Sequence, residues 1–349
     1  MALETAVVTA PELGALRRAF ELARRGPGND PNPQVGCVLL APDGSTLGEG
    51  WHRGAGTPHA EVAALADAAA RGNDVHGATA VVTLEPCDHT GRTGPCSVAL
   101  IEAGIARVVV SVDDPDPVAS GGAARLHAAG VDVVSGVLAD EGRTLLGPWL
   151  HAMRHGRPFV TLKIATTLDG RAAAADGTSR WITSEPARRH AHDLRARVDA
   201  IVVGTGTALA DDPELTARTA DGGLVENQPL RVVVGHRDLP DDARLRGPGG
   251  PLLLLRTHSP AQVLDELTGR DVRHVLLEGG PTLAAAFLRD GLVDEVHAYI
   301  APALLGAGLP AVGDLGIATI TGALRLAPVS IQHLGPDILV VATPVTEES

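Results

Sequence analysis

Short apolar segments alternate with amphipathic helical segments along most of the chain. Residues 11–26, "PELGALRRAFELARRG", carry apolar side chains at helical spacing. "VGCVLL" and "STLGEGW" follow as strands joined at a Pro-Asp-Gly turn, and the alternation continues through "HAEVAALADAAARG", "ATAVVTL", "CSVALIEAG" and "ARVVVSV". Strands interleaved with helices of this length predict an α/β fold with a largely parallel sheet.

At 349 residues, the chain is long enough for two domains. The pattern changes near residue 146, where "LLGPWLHAMRHGRP" has a proline at each end of a short helical stretch and is interpreted as an interdomain connection. "FVTLKIATTLDGRAA" then starts a second alternation as a new strand. We therefore expect one domain over residues 1–153 and a second α/β domain over residues 154–349.

Composition excludes several classes of function. The formal net charge of −13 argues against a nucleic-acid surface or an anionic-membrane surface, because both require a basic footprint. No apolar run approaches the ~20 residues of a membrane span, and the first residues lack the features of a signal peptide. We expect a cytoplasmic protein, whose three cysteines stay reduced and available for a metal or for catalysis.

The segment "TLEPCDHTGRTGPC", residues 83–96, contains two of these cysteines, Cys87 and Cys96. Each is placed where a helix could begin, which would stabilise a thiolate. Upstream, "GTPHAEV" supplies His59 and Glu61 in the first turn of a helix. Because residues i and i+2 do not share a helix face, we expect His59 to bind a metal while Glu61 stays unbound as a proton carrier. One imidazole and two thiolates suit zinc, with a fourth position open to water.

This donor set predicts hydrolytic deamination. Zinc lowers the pKa of bound water from about 15.7 to near 7, and Glu61 could pass the water proton to a ring nitrogen and a departing amine. The pattern resembles zinc-dependent nucleobase deaminases, in which two residues lie between the cysteines, whereas eight residues lie between them here. A structural zinc, or a pair of buried thiols, is the alternative. Cys37, on an apolar strand, is interpreted as a core residue.

Lys163 is the sole lysine in the chain, so the other 28 of its 29 basic residues are arginines. Because a lysine ammonium is compact and can titrate, its retention at this one position predicts an acid/base role for Lys163. The alternative is an ordinary surface lysine.

Blocks along most of the chain resemble the bifunctional deaminase/reductase of riboflavin biosynthesis. They occur in that family's order: "NPQVGCVL", "GWHRGAGTPHAEVAAL", "TLEPCDHTGRTGPC", "DPDPVASGG", "LKIATTLDGRAA", "SRWITSEPARR", "VVGTGTALADDPELTAR" and "LLEGGPTLAAAFL". The eight-residue spacer is the form this family uses. The resemblance implies a cytidine-deaminase-like N-terminal domain followed by a dihydrofolate-reductase-like domain.

The same resemblance implies the reactions. The first domain would deaminate 2,5-diamino-6-ribosylamino-4(3H)-pyrimidinone 5′-phosphate, and the second would use NADPH to reduce the ribosyl side chain, giving 5-amino-6-(5-phosphoribitylamino)uracil. We also expect a homo-oligomer. A tRNA adenosine deaminase would lack the second domain and carry more positive charge. A zinc-stabilised nucleotide-binding protein without catalysis is the remaining alternative, and Glu61 and Lys163 argue against it.

Individual roles follow from the resemblance by position. His59, Cys87 and Cys96 match the zinc ligands and Glu61 the proton shuttle, while Asp88 stands where family members often have serine, with its role left open. The residues that match the first substrate pocket are Asn32, His52, His89 and Arg92.

In the second domain, Lys163 matches the active-site lysine and Glu278 its acidic partner. The strand-glycine-helix turns "GGPTLAAAF" and "VVGTGTALAD" are each weak signals for cofactor phosphates. After the strand "LRVVV", Gly235-His236-Arg237 places basic groups that would favour the 2′-phosphate of NADPH. The resemblance assigns Ser179, Arg195, Leu215 and Arg218 to the substrate, and Ala165, Trp181, Thr207, Asp211, Gly279, Gly280, Pro281, Thr282, Leu283, Ala284, Ala285 and Ala286 to the cofactor.

Overall fold

The computed structural model describes residues 7–90 and 94–345. The chain divides into two compact units, one ending at Gly156 and the other starting at Arg157. Among the described residues, no helix is long and apolar enough to cross a membrane.

The first unit contains a sheet with the strand order β2-β1-β3-β4-β5. Its strands β3, β4 and β5 are parallel, whereas β1 pairs antiparallel with β2 and β3, so the expectation of a largely parallel sheet holds for only part of it. The elements are α1 (Ala10–Ala23), β1 (Gly36–Leu40), β2 (Thr46–Trp51), α2 (Ala60–Ala70), β3 (Thr79–Leu84), α3 (Cys96–Glu102), β4 (Arg107–Val112), α4 (Gly122–Ala128), β5 (Asp132–Val134) and α5 (Ala139–His155).

Both faces of this sheet are buried, because successive residues of β1, β3 and β4 point to opposite sides. Val38 and Val81 pack with α1, and Leu39 and Val82 pack with α2 on the other face. Cys37 is fully buried among the residues on the α2 side of the sheet, which confirms it as a core residue.

The segment interpreted as a short interdomain connection is instead part of a long helix. α5 has 17 residues, includes Pro148 and ends at His155, followed by Gly156 in a left-handed conformation with φ 65°. Leu146 and Leu150 pack against the ends of β3 and β4. The apolar face of α5 therefore makes it the closing helix of the first unit.

The second unit contains a sheet with the order β10-β9-β8-β11-β6-β12-β15-β14. The strands from β10 to β12 are mutually parallel, and β15 and β14 extend the sheet antiparallel. The elements are β6 (Phe159–Thr167), β7 (Arg171–Ala173), α6 (Glu185–Arg195), β8 (Ala200–Gly204), α7 (Thr205–Asp211), β9 (Leu230–Val234), a 3₁₀ turn (Arg244–Arg246), β10 (Leu252–Leu255), α8 (Pro260–Thr268), β11 (His274–Leu277), α9 (Pro281–Arg289), β12 (Glu295–Ala301), β13 (Leu309–Pro310), a 3₁₀ turn (Ile320–Gly322), β14 (Leu326–Leu334) and β15 (Asp337–Pro344).

Continuous apolar strands in this unit are covered on both faces, as expected for a parallel sheet. Val275 and Leu277 pack with α8 and α9, whereas Leu276 packs with α6 and α7. The segment expected to form one strand after residue 158 instead folds into β6 and β7, with Gly170 at φ 78° in the turn between them.

Candidate active sites

His59 is positioned by close packing of α2 on β2. A side chain at Gly50 would place its Cβ 2.3 Å from the carbonyl oxygen of Ala60 and the amide nitrogen of Ala64, so glycine lets the helix lie directly on the strand. His59 immediately precedes this helix in an extended conformation and Glu61 lies in its first turn. The two side chains are therefore presented at the start of α2, as the i, i+2 spacing predicts.

The ligand atoms of His59, Cys87 and Cys96 lie within 4.8 Å of one another. His59 Nδ1 is 3.5 Å from Cys87 Sγ and 3.3 Å from Cys96 Sγ. Cys96 begins α3, but Cys87 lies in the loop after β3, so the prediction that each cysteine begins a helix is wrong for Cys87. Hydrogen bonds from Ser97 N to Cys87 O, and from Asp88 N to Ala119 O, hold this loop.

The Glu61 carboxyl is buried beside these three residues. It hydrogen-bonds Cys96, and burial raises its pKa to about 7, with Cys87 adding to the shift and His59 opposing it. The hydrogen bond between the two sulfurs lowers the pKa of Cys87 and raises the pKa of Cys96. One nitrogen and two sulfurs, one of them readily ionised, form a donor set that fits zinc.

The side chains of Asn32 and His52 meet at the edge of this site. Asn32 Nδ2 donates to His52 Nε2 at 3.2 Å, and His52 Nδ1 donates to the carbonyl oxygen of Pro58 at 3.3 Å. Burial lowers the pKa of His52, which keeps the ring neutral. His52 also meets His59 edge to face, with ring centroids 5.4 Å apart.

The loop between the two cysteines carries the remaining expected pocket residues. His89 has a buried Nδ1 without a hydrogen-bond partner among the described residues, whereas Arg92 lies outside the described residues. Asp88 accepts a hydrogen bond from Ser97 Oγ at 2.7 Å and pairs with Arg125, which lowers its pKa. Its carboxylate therefore braces the loop through α3 and α4.

A cleft of about 1490 Å³ opens in the second unit at the carboxyl ends of β8 and β11, where ligands bind in open α/β sheets. Ala285 is buried and does not line this cleft. The predicted residues that do line it are Lys163, Ala165, Ser179, Trp181, Arg195, Thr207, Asp211, Leu215, Arg218, Glu278, Gly279, Gly280, Pro281, Thr282, Leu283, Ala284 and Ala286.

Glu278 has a closer partner than the expected Lys163. Arg195 donates from Nε and Nη2 to its two carboxylate oxygens at 2.6 and 2.8 Å, whereas Lys163 Nζ lies 3.9 Å away. Burial alone would raise the pKa of Glu278, but Arg195 and Lys163 hold it at about 2. Burial lowers the pKa of Lys163, although Glu278 opposes this shift. The site is thus a two-cation, one-carboxylate cluster.

Other expected substrate residues have structural partners as well. Arg218 pairs with Glu214 and donates to the carbonyl oxygen of Gly222 at 2.7 Å. Leu215 is buried with a left-handed backbone, φ 52°. Both nevertheless reach the wall of the cleft.

The turn before α9 is packed too closely for side chains at two of its positions. A Cβ at Gly280 would lie 2.9 Å from Thr207 Oγ1, and one at Gly279 would lie 2.8 Å from Leu283. Arg237 also lines the cleft and comes within 3.3 Å of a Cβ placed on Gly206. A glycine-lined wall with a nearby guanidinium fits a phosphate-bearing dinucleotide.

Sequence reasoning missed Tyr299, which lines the cleft beside Lys163. It is the sole tyrosine of the chain, and this rarity is the same signal that singled out Lys163.

Two family models match successive parts of this chain. Residues 12–112 match the cytidine and deoxycytidylate deaminase zinc-binding region, and residues 158–340 match the RibD C-terminal domain. The riboflavin biosynthesis protein RibD of Mycobacterium tuberculosis is 53% identical over 312 residues, covering 88% of this chain and 90% of the relative.

Two solved structures superpose on both units. A RibD from Acinetobacter baumannii has 38% identity and a TM-score of 0.88, and a deaminase/reductase from Thermotoga maritima has 34% identity and a TM-score of 0.89. Each alignment covers 96% of this chain and 99% of the other. Since the match runs through the zinc-binding region and the reductase domain at this identity, the chain belongs to the RibD family of bifunctional deaminase/reductases in riboflavin biosynthesis.

Proposed function

We propose that the first unit deaminates diaminohydroxyphosphoribosylaminopyrimidine, the compound in the name of the Thermotoga maritima relative. The observation that carries this proposal is the convergence of His59, Cys87 and Cys96 around a buried Glu61. In this assignment the first three residues hold zinc and Glu61 remains outside the ligand set. A purely structural zinc would have no use for a buried carboxyl at this place.

The proposed chemistry replaces a ring amine by oxygen, with water consumed and ammonia released. Zinc, when bound, supplies a Lewis acid that makes water nucleophilic at neutral pH. Glu61 takes a proton from the attacking water and delivers protons to the ring nitrogen and the departing amine. Asn32 and His52 orient the pyrimidine, and His89 and Arg92 bind its phosphate side.

Substitution of Glu61 tests this assignment directly. The Glu61→Gln protein should lose about 10²- to 10⁴-fold of its ammonia release because the proton carrier is gone, while metal analysis shows zinc retained. Glu102→Gln, at an exposed position on α3, is the matched control and should keep full activity. Unchanged ammonia release by the zinc-loaded Glu61→Gln protein would reject the proton shuttle, whereas absence of ammonia release from the zinc-loaded wild type would favour a nucleotide-binding role without catalysis.

For the second unit, we propose reduction of the deaminated product, 5-amino-6-(5-phosphoribosylamino)uracil, by NADPH. NADPH, when bound, would supply the hydride. The glycine turn at Gly279 and Gly280, with Thr207 and Asp211 opposite, would hold the cofactor. Lys163 would provide a proton near the reduced carbon, with Glu278 and Arg195 fixing its charge environment.

The other residues that line the cleft are assigned to the substrate or to the cofactor. Ser179, Leu215 and Arg218 would contact the phosphorylated substrate, together with Arg195. Arg237 would favour NADPH over NADH through the 2′-phosphate. The cofactor wall would be completed by Ala165, Trp181, Pro281, Thr282, Leu283, Ala284 and Ala286, whereas Ala285 would support that wall from behind.

We also propose a homo-oligomer in the cytoplasm. Val329 and Ile331 on the outer strand β14 are 62% and 66% exposed, and apolar edge strands of this kind mark interaction surfaces. Sedimentation velocity tests this, since Ile331→Lys should shift the chain towards monomer and an unshifted oligomer would exclude that surface.

A reducing compartment would keep Cys87 and Cys96 available for zinc.

A further inference from the structure

The sole lysine and the sole tyrosine of the chain lie beside each other on the floor of the reductase cleft. Their strands β6 and β12 are adjacent and parallel, with Lys163 opposite His297 and Ala165 opposite Tyr299. Lys163 and Tyr299 are therefore diagonal neighbours on one face of the sheet. Lys163 Nζ lies 5.8 Å from the centre of the Tyr299 ring, within the range of a cation–π contact.

The Tyr299 ring is held from two sides. Its side chain is 1% exposed and packs with Ala187, Ala191 and Leu339, which restricts the ring plane. Its hydroxyl oxygen lies 2.8 Å from His190 Nδ1 on α6, a hydrogen bond that fixes the far end of the ring. Burial, with a further contribution from Glu278, raises the pKa of Tyr299, so the hydroxyl stays protonated.

Lys163 shares its ionic partner, Glu278, with Arg195. The carboxylate of Glu278 is engaged by the two-pronged contact from Arg195, and the ammonium is 3.9 Å from one of its oxygens. Burial in the cleft lowers the pKa of Lys163, and Arg195 lowers it further, whereas Glu278 and Asp211 oppose this shift. Besides Tyr299, the titratable or charged groups around Lys163 are Glu278 after β11, His190, His192 and Arg195 on α6, Asp211 on α7 and His297 on β12.

We propose that Tyr299 is a positioning residue of the reductase site, whose ring face holds the Lys163 ammonium in place and in its charged form. The hydroxyl bond to His190 keeps the ring at the angle that this contact requires. The catalytic consequence rests on the role proposed above for Lys163. The contact itself is independent of that role and is tested separately.

A single lysine makes the contact directly measurable. In protein labelled with ¹³C-lysine, one side-chain NMR signal reports the titration of Lys163 without cofactor or substrate. Tyr299→Leu, which removes the ring, should lower the apparent Lys163 pKa by about one unit, and should reduce the turnover number for NADPH oxidation about tenfold at neutral pH. Tyr299→Phe keeps the ring but loses the hydroxyl bond to His190, so its Lys163 pKa should fall less than in the Leu protein. Ammonia release should be unchanged in both proteins.

A second measurement covers the case in which Tyr299→Leu fails to fold. Because residue 299 is the sole tyrosine, growth on 3-fluorotyrosine alters that ring alone, withdrawing electron density from its face without changing its shape appreciably. The Lys163 pKa should fall in this protein too. An unchanged lysine titration in the Leu protein or, if that protein does not fold, in the fluorinated one would overturn the proposal. A shifted titration with full reductase activity would confirm the contact and overturn its catalytic consequence.

Discussion

Cys37 and Cys87 are both buried thiols, but their surroundings differ. Cys37 lies among apolar side chains of β1 and α2, whereas Cys87 faces His59 and Cys96. Their positions in the sequence already indicated this difference, since Cys37 interrupts an apolar strand and Cys87 follows a proline in a turn-rich loop. A matched pair of alanine substitutions can therefore separate metal binding from packing.

Zinc content should distinguish the two cysteines. Cys87→Ala should lose most of its zinc because a site with two remaining protein ligands binds weakly, whereas Cys37→Ala should keep about one ion per chain. Cys37→Ala should instead lower the free energy of unfolding by about 1 kcal/mol through the lost core contacts. Metal analysis after dialysis measures the first effect and urea unfolding the second. Full zinc retention by Cys87→Ala would remove that thiol from the site.

Arg195 and Lys163 both interact with the carboxylate of Glu278, but in different ways. Arg195 takes both oxygens of Glu278, as its planar fork allows, and Lys163 stands off at 3.9 Å. The sequence indicated that Lys163 was special because the chain otherwise uses arginine. The dominant partner of Glu278 could not be predicted, since Arg195 is 83 residues away and only the folded sheet brings α6 over it.

Replacing Lys163 by arginine keeps the positive charge but changes its size and acidity. NADPH oxidation by Lys163→Arg should fall about 10²-fold, because a guanidinium does not release a proton near neutral pH. Ammonia release, which depends on the first unit, should stay at the wild-type rate and serves as the internal control. Full retention of NADPH oxidation would exclude an acid/base role for Lys163.

At the level of helices and strands, the local pattern predicted most of what the structure contains. Apolar alternation and helical spacing identified α1, α2, β3 and β4, because each of these elements buries its own apolar residues. α5 was misread since Pro148 is normally a helix breaker, yet Leu146 and Leu150 secure the helix by packing against the sheet. The pairing of β14 and β15 was missed because β14 is largely exposed and carries no buried apolar face.

His274, at the start of β11, should make the second unit less stable in acid. His274 Nε2 hydrogen-bonds Thr161 Oγ1 at 2.8 Å, and its ring contacts Phe159. Burial, with smaller effects from His297 and Arg197, lowers the pKa of His274 from 6.5 to about 3. The unfolded chain therefore binds a proton below pH 6.5 that the folded chain excludes, and stability falls as the pH drops from that value towards 3.

Between about pH 7.5 and about pH 5, this histidine should account for a loss of up to about 2 kcal/mol in the free energy of unfolding. His274→Gln keeps a hydrogen-bonding group but does not titrate, so its stability should depend less on pH. His333→Gln, at an exposed position on β14, should behave as wild type. Urea unfolding at the two pH values measures this, and an equal acid loss in His274→Gln and wild type would contradict the assignment.

For the molecule as a whole, the two units carry separate chemistries on one chain. The net charge of −13 argues against a nucleic-acid surface, because such a surface requires a basic footprint. The cluster of His59, Cys87 and Cys96 was predictable because its residue types are rare and their spacing is specific. The walls of the reductase cleft were not predictable from the residues alone, since they combine loops far apart in the sequence.

The most direct test of the account supplies the zinc-loaded protein with diaminohydroxyphosphoribosylaminopyrimidine and follows ammonia and NADPH together. Wild type should release ammonia without NADPH, and should oxidise NADPH when both are present. Glu61→Gln should do neither, yet should oxidise NADPH at the wild-type rate once the deaminated uracil compound is added. Oxidation of NADPH by Glu61→Gln with the diamino compound alone would contradict two successive reactions at two separate sites.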